Sequence, residues 1–357
     1  MRFVSLESIK LSLLLFFLTI FFSISFIIDS GDEAAAVQSE DERMAGLTEG
    51  AKKEGKVLWY TPATVEESNR LLKRFQEKYP YIETAMYRSN ELNILNRILI
   101  ESQAKRQLFD VVMVTGIVGE TLKNKGFLTE YLSPQRKFYP EGLKDPAGYW
   151  TDLTMSLNVV GYNTKLVSSG EAPKTWNDLL NPKWKRKMGM DDKAFYWFAS
   201  MLKVMGEEKG LEYMKKLSQQ DIVFRTGRTL NAQLVAAGEV SIGIALYNHR
   251  VEEMKTKGAP IEWVPIEPVV PEIHPLGISS HAPHPNAARL LVDFLLSREG
   301  QEMIASFYKI PSRTDVDPIV PRLKKGFNIL PFDLSVVNDF EKYIKLYREI
   351  LLKGKNR

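Results

Sequence analysis

Hydrophobic positions along this chain change their period several times. From Leu11 to Ile28 the run is apolar except for serine and threonine, with Arg2 and Lys10 ahead of it. A basic start before an apolar stretch reads as an export signal, and Ala34-Ala35-Ala36 offers the small residues a signal peptidase needs. The run is also about long enough to span a bilayer, so an uncleaved N-terminal anchor over 1–36 is the rival to a signal peptide. After a polar, alanine-rich leader, Val57–Tyr60 is a short apolar run between Gly55 and Pro62, the pattern of a buried parallel strand. Leu71, Leu72, Phe75 and Tyr79 then recur at helical spacing until Pro80 stops them. Ile82–Arg88 predicts a second strand, Leu92, Leu95, Ile98 and Leu99 a helix, and Phe109–Val114 a third strand. Strands and helices in alternation predict an α/β fold on a largely parallel sheet.

The alternation breaks over 129–154, where Pro134, Pro140 and Pro146 mark an irregular connection. Leu157–Tyr162 predicts a strand, and a first crossing between two lobes is expected near Thr154–Asn163. Thr175 then caps a short helix with Asp178 in its first turn, Pro182 ends it, and Trp176 is expected to meet Trp184 across the turn. A strand ends at Met190, and helices follow from Ala194 and over 211–217. Next come a strand at Ile222–Arg225, a helix Leu230–Ala237 capped by Thr229, and strands at Val240–Leu246 and Ile261–Ile266. The proline-rich stretch from Glu267 to Pro275 is read as a second crossing, after which 273–279 rejoins the first sheet. Asn286 is expected to cap the helix carrying Leu290, Leu291 and Phe294, and a final helix presents Val336, Phe340, Ile344 and Tyr347 on one face. The expected division is 37–154 with 272–357 in lobe 1, and 155–271 in lobe 2.

Composition narrows the function. The absence of cysteine excludes disulfides, thiolate metal sites, a cysteine nucleophile and lipid attachment at a cysteine. Net charge is +4; residues 1–36 hold two basic and four acidic residues, so the remainder carries +6. That charge is scattered. Neither Lys183–Lys187 nor Lys324-Lys325 is interleaved with a base-stacking motif, which argues against nucleic acid, whereas a mildly basic surface draws small anions. No G-x-S-x-G, H-E-x-x-H, P-loop or G-x-G-x-x-G occurs, so the chain is not read as an enzyme. Asp191 and Asp192 suit a helix N-terminus better than acid–base work.

In open α/β sheets, ligands bind beyond the carboxyl ends of strands and beside helix N-termini. Such positions here are Thr61, Thr115-Gly116, Asp192-Lys193-Ala194, Arg228, and Tyr247-Asn248, with His274 at the second crossing. Arg228 precedes a helix, where its planar fork can pair both oxygens of a carboxylate or phosphate. Arg228→Ala is therefore expected to weaken binding without loss of the fold. His281 and His284 lack metal-ligand spacing and read as turn residues beside prolines.

The segment P-K-T-W-N-D-L-L-N-P-K-W-K from Pro173 resembles the family 1 extracellular solute-binding proteins of bacterial ABC importers, in the subgroup containing ferric-iron binding periplasmic proteins. So do Gly55–Thr61, F-D-V-V from Phe109, G-E-V-S-I-G-I-A from Gly238 and the N-A-A-R-L-L-V-D-F-L-L-S-R-E-G-Q run from Asn286; together they span roughly residues 50–315. The resemblance implies a two-lobe, type II periplasmic-binding-protein fold hinged by extended crossing strands. It also implies a periplasmic monomer with no cofactor, whose partners are a small-molecule ligand and membrane permease subunits. Iron-binding members carry adjacent tyrosines where only Tyr247 stands here, and Thr115 takes the place of their acidic ligand. The expected guest is a small anion: a carboxylate, phosphonate or sugar phosphate. Ferric iron held by Tyr247 with a synergistic anion is the alternative, and a membrane-anchored ligand sensor the third reading.

Overall fold

A computed structural model describes residues 40–353, so the signal or anchor expected over 1–36 lies outside the described residues. The described chain opens in helix α1 (40–54) and continues through β1 (Lys56–Thr61), α2 (Val65–Lys78), β2 (Glu83–Arg88), α3 (Glu91–Gln103), β3 (Val111–Met113), α4 (Gly116–Asn124) and β4 (Leu128–Thr129). Strand β1 runs parallel to both β2 and β3. Thr64 and Glu67 form a reciprocal capping box that starts α2. Leu71, Leu72 and Phe75 of α2 pack on one face of these strands, while Ile94 and Ile98 of α3 and Leu122 of α4 cover the other.

After the irregular stretch, β5 (Thr151–Asn163) is buried along its whole length. The chain then builds β6 (Met188–Asp191), α5 (Phe195–Met205), α6 (Glu207–Ser218), β7 (Val223–Arg225), α7 (Arg228–Ala237), β8 (Ile242–Tyr247), α8 (Asn248–Thr256) and β9 (Ile261–Val264). Strand β10 (Val270–Ser279) leads to α9 (Pro285–Leu296), α10 (Arg298–Ser306), β11 (Ile310–Pro311) and α11 (Phe340–Tyr347). The sheet order is β2-β1-β3-β10-β5-β8-β6-β7, with β4 beside β10 and both β9 and β11 beside β5.

Two long strands join the halves of this sheet. Thr151–Asn158 of β5 pairs antiparallel with β10, and Asn158–Asn163 pairs with β8 and β9. Leu276–Ile278 of β10 in turn pairs with β3. The sequence boundaries at 154/155 and 271/272 fall inside β5 and β10.

Four sequence expectations are corrected. Trp176 packs on Trp197 of α5 (ring centroids 5.6 Å apart) rather than on Trp184, because α5 lies directly over the turn. Helix α7 begins at Arg228 with Gly227 as its N-cap at a φ of 103°, a conformation glycine adopts without strain, so Thr229 lies inside the helix. Asn286 does not cap α9; its side chain donates to Glu54 of α1 at 2.6 Å. The last part of 272–357 does not return to lobe 1. Tyr347 of α11 packs edge-on against Phe195 and Phe198 of α5, 5.2 and 5.4 Å away, and its hydroxyl donates to the Asp191 carbonyl at 2.6 Å. The apolar face seen in the sequence is real, but it docks on the second half of the sheet.

Candidate functional site

The ends of β3, β6 and β7 open into one cavity of about 120 Å³. At the roughly 30 Å³ that each water takes up in the liquid, that is room for about four waters. One wall comes from the first half of the sheet: Asn90 to Leu92 at the start of α3 and Thr115 to Val118 at the start of α4. The opposite wall comes from the second half, with Asp191, Lys193, Phe195 and Tyr196 beside Thr226, Gly227 and Arg228. Glu272 of β10 closes the back, and Phe332 and Phe340 reach in from the C-terminal segment.

Four helix N-termini therefore meet at one cavity. Only α3 is capped by a side chain, that of Asn90; α4, α5 and α7 have no side-chain cap. Uncapped first turns present backbone N–H groups and the positive end of the helix dipole to whatever fills the cavity.

Arg228 is held by its own chain. Its Nη1 lies 3.2 Å from Asp191 Oδ2, its Nη2 3.1 Å from Glu272 Oε2, and its Nε donates to Asn158 Oδ1 at 3.2 Å. The guanidinium also sits over the Tyr247 ring, 4.7 Å from its centroid. Burial works against its charge, but Glu272 first, then Tyr247 and Asp191, outweigh burial and hold the guanidinium protonated. Lys193 lines the same cavity and has no carboxylate partner among the described residues. Burial pushes the Glu91 carboxyl in the same cavity above its ordinary pKa; its own backbone N–H and Arg228 oppose the effect, and Glu272 and Asp191 add to it.

Of the residues singled out in the sequence, Thr115, Gly116, Lys193 and Arg228 line the cavity. The other six take different places. Asp192 turns to accept from Thr226 Oγ1 at 2.8 Å, while its neighbour Asp191 faces the cavity. Ala194 is the buried N-cap residue of α5. Thr61 is buried at the end of β1, its hydroxyl accepting from the Ala63 amide at 3.1 Å. Tyr247 stands behind Arg228 and donates to Glu272 Oε2 at 3.0 Å. Asn248 links Leu157 to the Leu323 carbonyl. His274 Nδ1 lies 2.9 Å from the Thr154 carbonyl, and burial pushes its pKa down to about 4.

Sequence reasoning passed over Glu91, Glu272 and the aromatic wall, and read Asp191 as a helix N-terminus residue rather than a partner of Arg228. Glu91 follows a strand end and a good N-cap residue, so the rule that picked Thr115 could have reached it. Phe332 and Phe340 carry no such signal, since nothing local places them near β6.

Tyr247 bears on the ferric reading. Burial pushes its phenol well above its ordinary pKa, against the pull of Arg228, and its proton is committed to Glu272. Among the described residues no group of three or more histidine, aspartate or glutamate side chains is arranged to hold a metal ion.

A two-part sheet joined by two long strands, with a cavity between helix N-termini from both parts, is the architecture of a receptor that takes up a small solute. The chain belongs to the bacterial extracellular solute-binding proteins, the family whose pattern it matches over residues 106–333. Membership places it outside the cytoplasm; among the described residues no helix is long and apolar enough to cross a membrane. It is 26% identical over 312 residues to an uncharacterised protein of Haemophilus influenzae, covering 82% of this chain and 87% of that one. A Salmonella typhimurium periplasmic protein named for binding 2-aminoethylphosphonate is 26% identical over 177 residues, 44% of this chain and 50% of the relative. Among solved structures, AfuA of Actinobacillus pleuropneumoniae with fructose-6-phosphate bound superposes with a TM-score of 0.75 at 24% identity, covering 84% of this chain and 99% of that one. Iron-bound HitA of Pseudomonas aeruginosa gives 0.73 at 19% identity, with 83% and 99% covered. These likenesses show the two-lobe, type II periplasmic-binding-protein fold.

Proposed function

We propose that this protein is the extracytoplasmic receptor of an ABC importer and that it closes its two lobes on a small organic anion. The observation that carries the reading is the meeting of four helix N-termini, three of them without side-chain caps, at a cavity that also holds Lys193. A phosphonate, carboxylate or sugar phosphate satisfies those N–H groups and the lysine together. The phosphonate and sugar-phosphate ligands named for the Salmonella relative and for AfuA support the same class. In this reading β5 and β10 act as the hinge between lobes, and a guest touching both walls favours the closed form by its differential affinity. The closed receptor then delivers its guest to membrane permease subunits, and the protein works as a transport monomer in the periplasm rather than as an enzyme. Export by the apolar N-terminal run fits the same role.

Titration calorimetry with a panel of phosphonates, carboxylates and sugar phosphates tests the reading. At least one is expected to bind, and Lys193→Ala is expected to weaken it by about 10- to 100-fold, the range for loss of one hydrogen bond to a charged group. Tight binding of ferric iron with no affinity for any anion in the panel would sink the proposal.

A further inference from the structure

Two cavities share a wall in this part of the molecule. The first is the cavity of about 120 Å³ at the helix N-termini. The second, of about 450 Å³, is lined by Ser200 and Lys203 of α5, Val270 of β10, and Leu330 and Asp333 of the C-terminal segment. Tyr196 and Phe332 line both. Tyr196 is fixed by the helix that carries it. Phe332 stands in a stretch that is neither helix nor strand.

That stretch is pinned on either side of the ring. The Leu330 amide donates to the Val269 carbonyl at 2.9 Å. On the other side, the Asp333 carboxylate pairs with Lys203 Nζ at 2.8 Å, and the Asp333 amide donates to the Tyr196 hydroxyl at 3.3 Å. Between these anchors the Phe332 ring stacks on Tyr196 of the second lobe, with centroids 5.0 Å apart. Its tip reaches the first lobe, where a Cβ on Gly116 would lie 2.3 Å from Phe332 Cζ. The ring cannot swing aside without breaking its contact with one lobe or the other.

The inner cavity has room for about four waters, the bulk of a phosphonate or carboxylate head with very few carbons. A longer solute meets Phe332. Space for its body exists, but on the far side of the ring, in the larger cavity.

We propose that Phe332 sets the length of the solute: it seals the inner cavity from the outer one, so the receptor takes short anions and turns away those with a longer body, hexose phosphates included. This deepens the anion-receptor reading above and rests on it. Length and charge are then selected by different parts of the chain. Lys193 and the uncapped helix N-termini hold the head, and the C-terminal segment limits the tail.

Calorimetry with two homologous series tests the proposal: methyl- to hexylphosphonate, and acetate to hexanoate. Each series keeps its charge and varies only in length. On the unmutated protein the shortest member of a binding series is expected to be tighter than the hexyl member by at least about tenfold, although each methylene would otherwise add about fourfold if buried. Phe332→Ala is expected to raise the ratio of long-chain to short-chain affinity by at least about tenfold. Phe332→Leu keeps most of the bulk and is expected to change that ratio by less than about threefold. Should Phe332→Ala fail to fold, the series on the unmutated protein decides by itself. Hexylphosphonate, hexanoate or fructose-6-phosphate bound by the unmutated protein as tightly as the short anions overturns the seal and leaves the anion receptor standing. A ratio that a folded Phe332→Ala leaves unchanged does the same. No binding by any of these anions overturns the underlying reading instead.

Discussion

Arg228 lies between Asp191 and Glu272, with its flat face on Tyr247. The sequence shows a lone arginine before a helix and suggests a residue waiting for a ligand, removable without harm to the fold. The structure corrects that expectation, because the carboxylates that use the guanidinium are distant in the chain and adjacent in space. Arg228→Ala leaves two buried carboxylates unpaired and is expected to destabilise the protein by about 3–5 kcal/mol, read as a clear drop in melting temperature without ligand. An unchanged melting temperature would mean that Asp191 and Glu272 reach water or other partners. Lys193 is the cleaner probe of anion binding, since it has no carboxylate partner to strand.

Helices α3, α4, α5 and α7 are short, and each begins where a strand ends. Most of that pattern is legible in the chain: Ile82–Arg88, Phe109–Val114, the stretch ending at Met190 and Ile222–Arg225 read as strands, and the first turn of each following helix inherits a place at the sheet edge. Exact caps were less legible. Gly227 starts α7 because its positive φ turns the chain in a way Thr229 cannot, a matter of backbone geometry rather than side-chain chemistry. Gly116 at the start of α4 carries an element-scale prediction. Its Cβ would meet Phe332 Cζ at 2.3 Å and Ile273 Cγ1 at 2.8 Å. Gly116→Ala is expected to push Phe332 into the cavity, costing about 1–3 kcal/mol of stability and weakening every ligand. Pairing it with Phe332→Ala should return part of the affinity; no recovery in the double variant would place the damage at Ile273 and the crossing strand.

At the scale of the molecule, a second set of charges joins the two parts of the sheet. Arg250 of α8 donates to Glu67 of α2 at 2.7 Å, and Lys309 Nζ lies 3.2 Å from the same carboxylate. Burial works against the charge of Glu67, but Lys309 and Arg250 outweigh it and hold the carboxylate below its ordinary pKa. Because α2 follows β1 and α8 follows β8, this pair bridges the two parts of the sheet. Arg250→Ala is expected to raise the open population and lower apparent affinity for all ligands by the same factor, with a larger radius of gyration in solution scattering of the unliganded protein. An Arg250 variant that discriminates between ligands would move that residue from the closure to the site.

The order of hydrophobic and polar residues determined the strands, most helices, the two long connecting strands and the edge of the sheet at which the cavity opens. Those features are local, set by period, proline and glycine within a few residues. Tertiary structure alone decided that α11 returns to the second lobe, that Tyr247 and Asp191 brace Arg228, and that Glu91, Lys193 and Phe332 line one cavity. Each of these joins residues far apart in sequence, and their pairing follows from how sheets twist and cores close rather than from any neighbour in the chain.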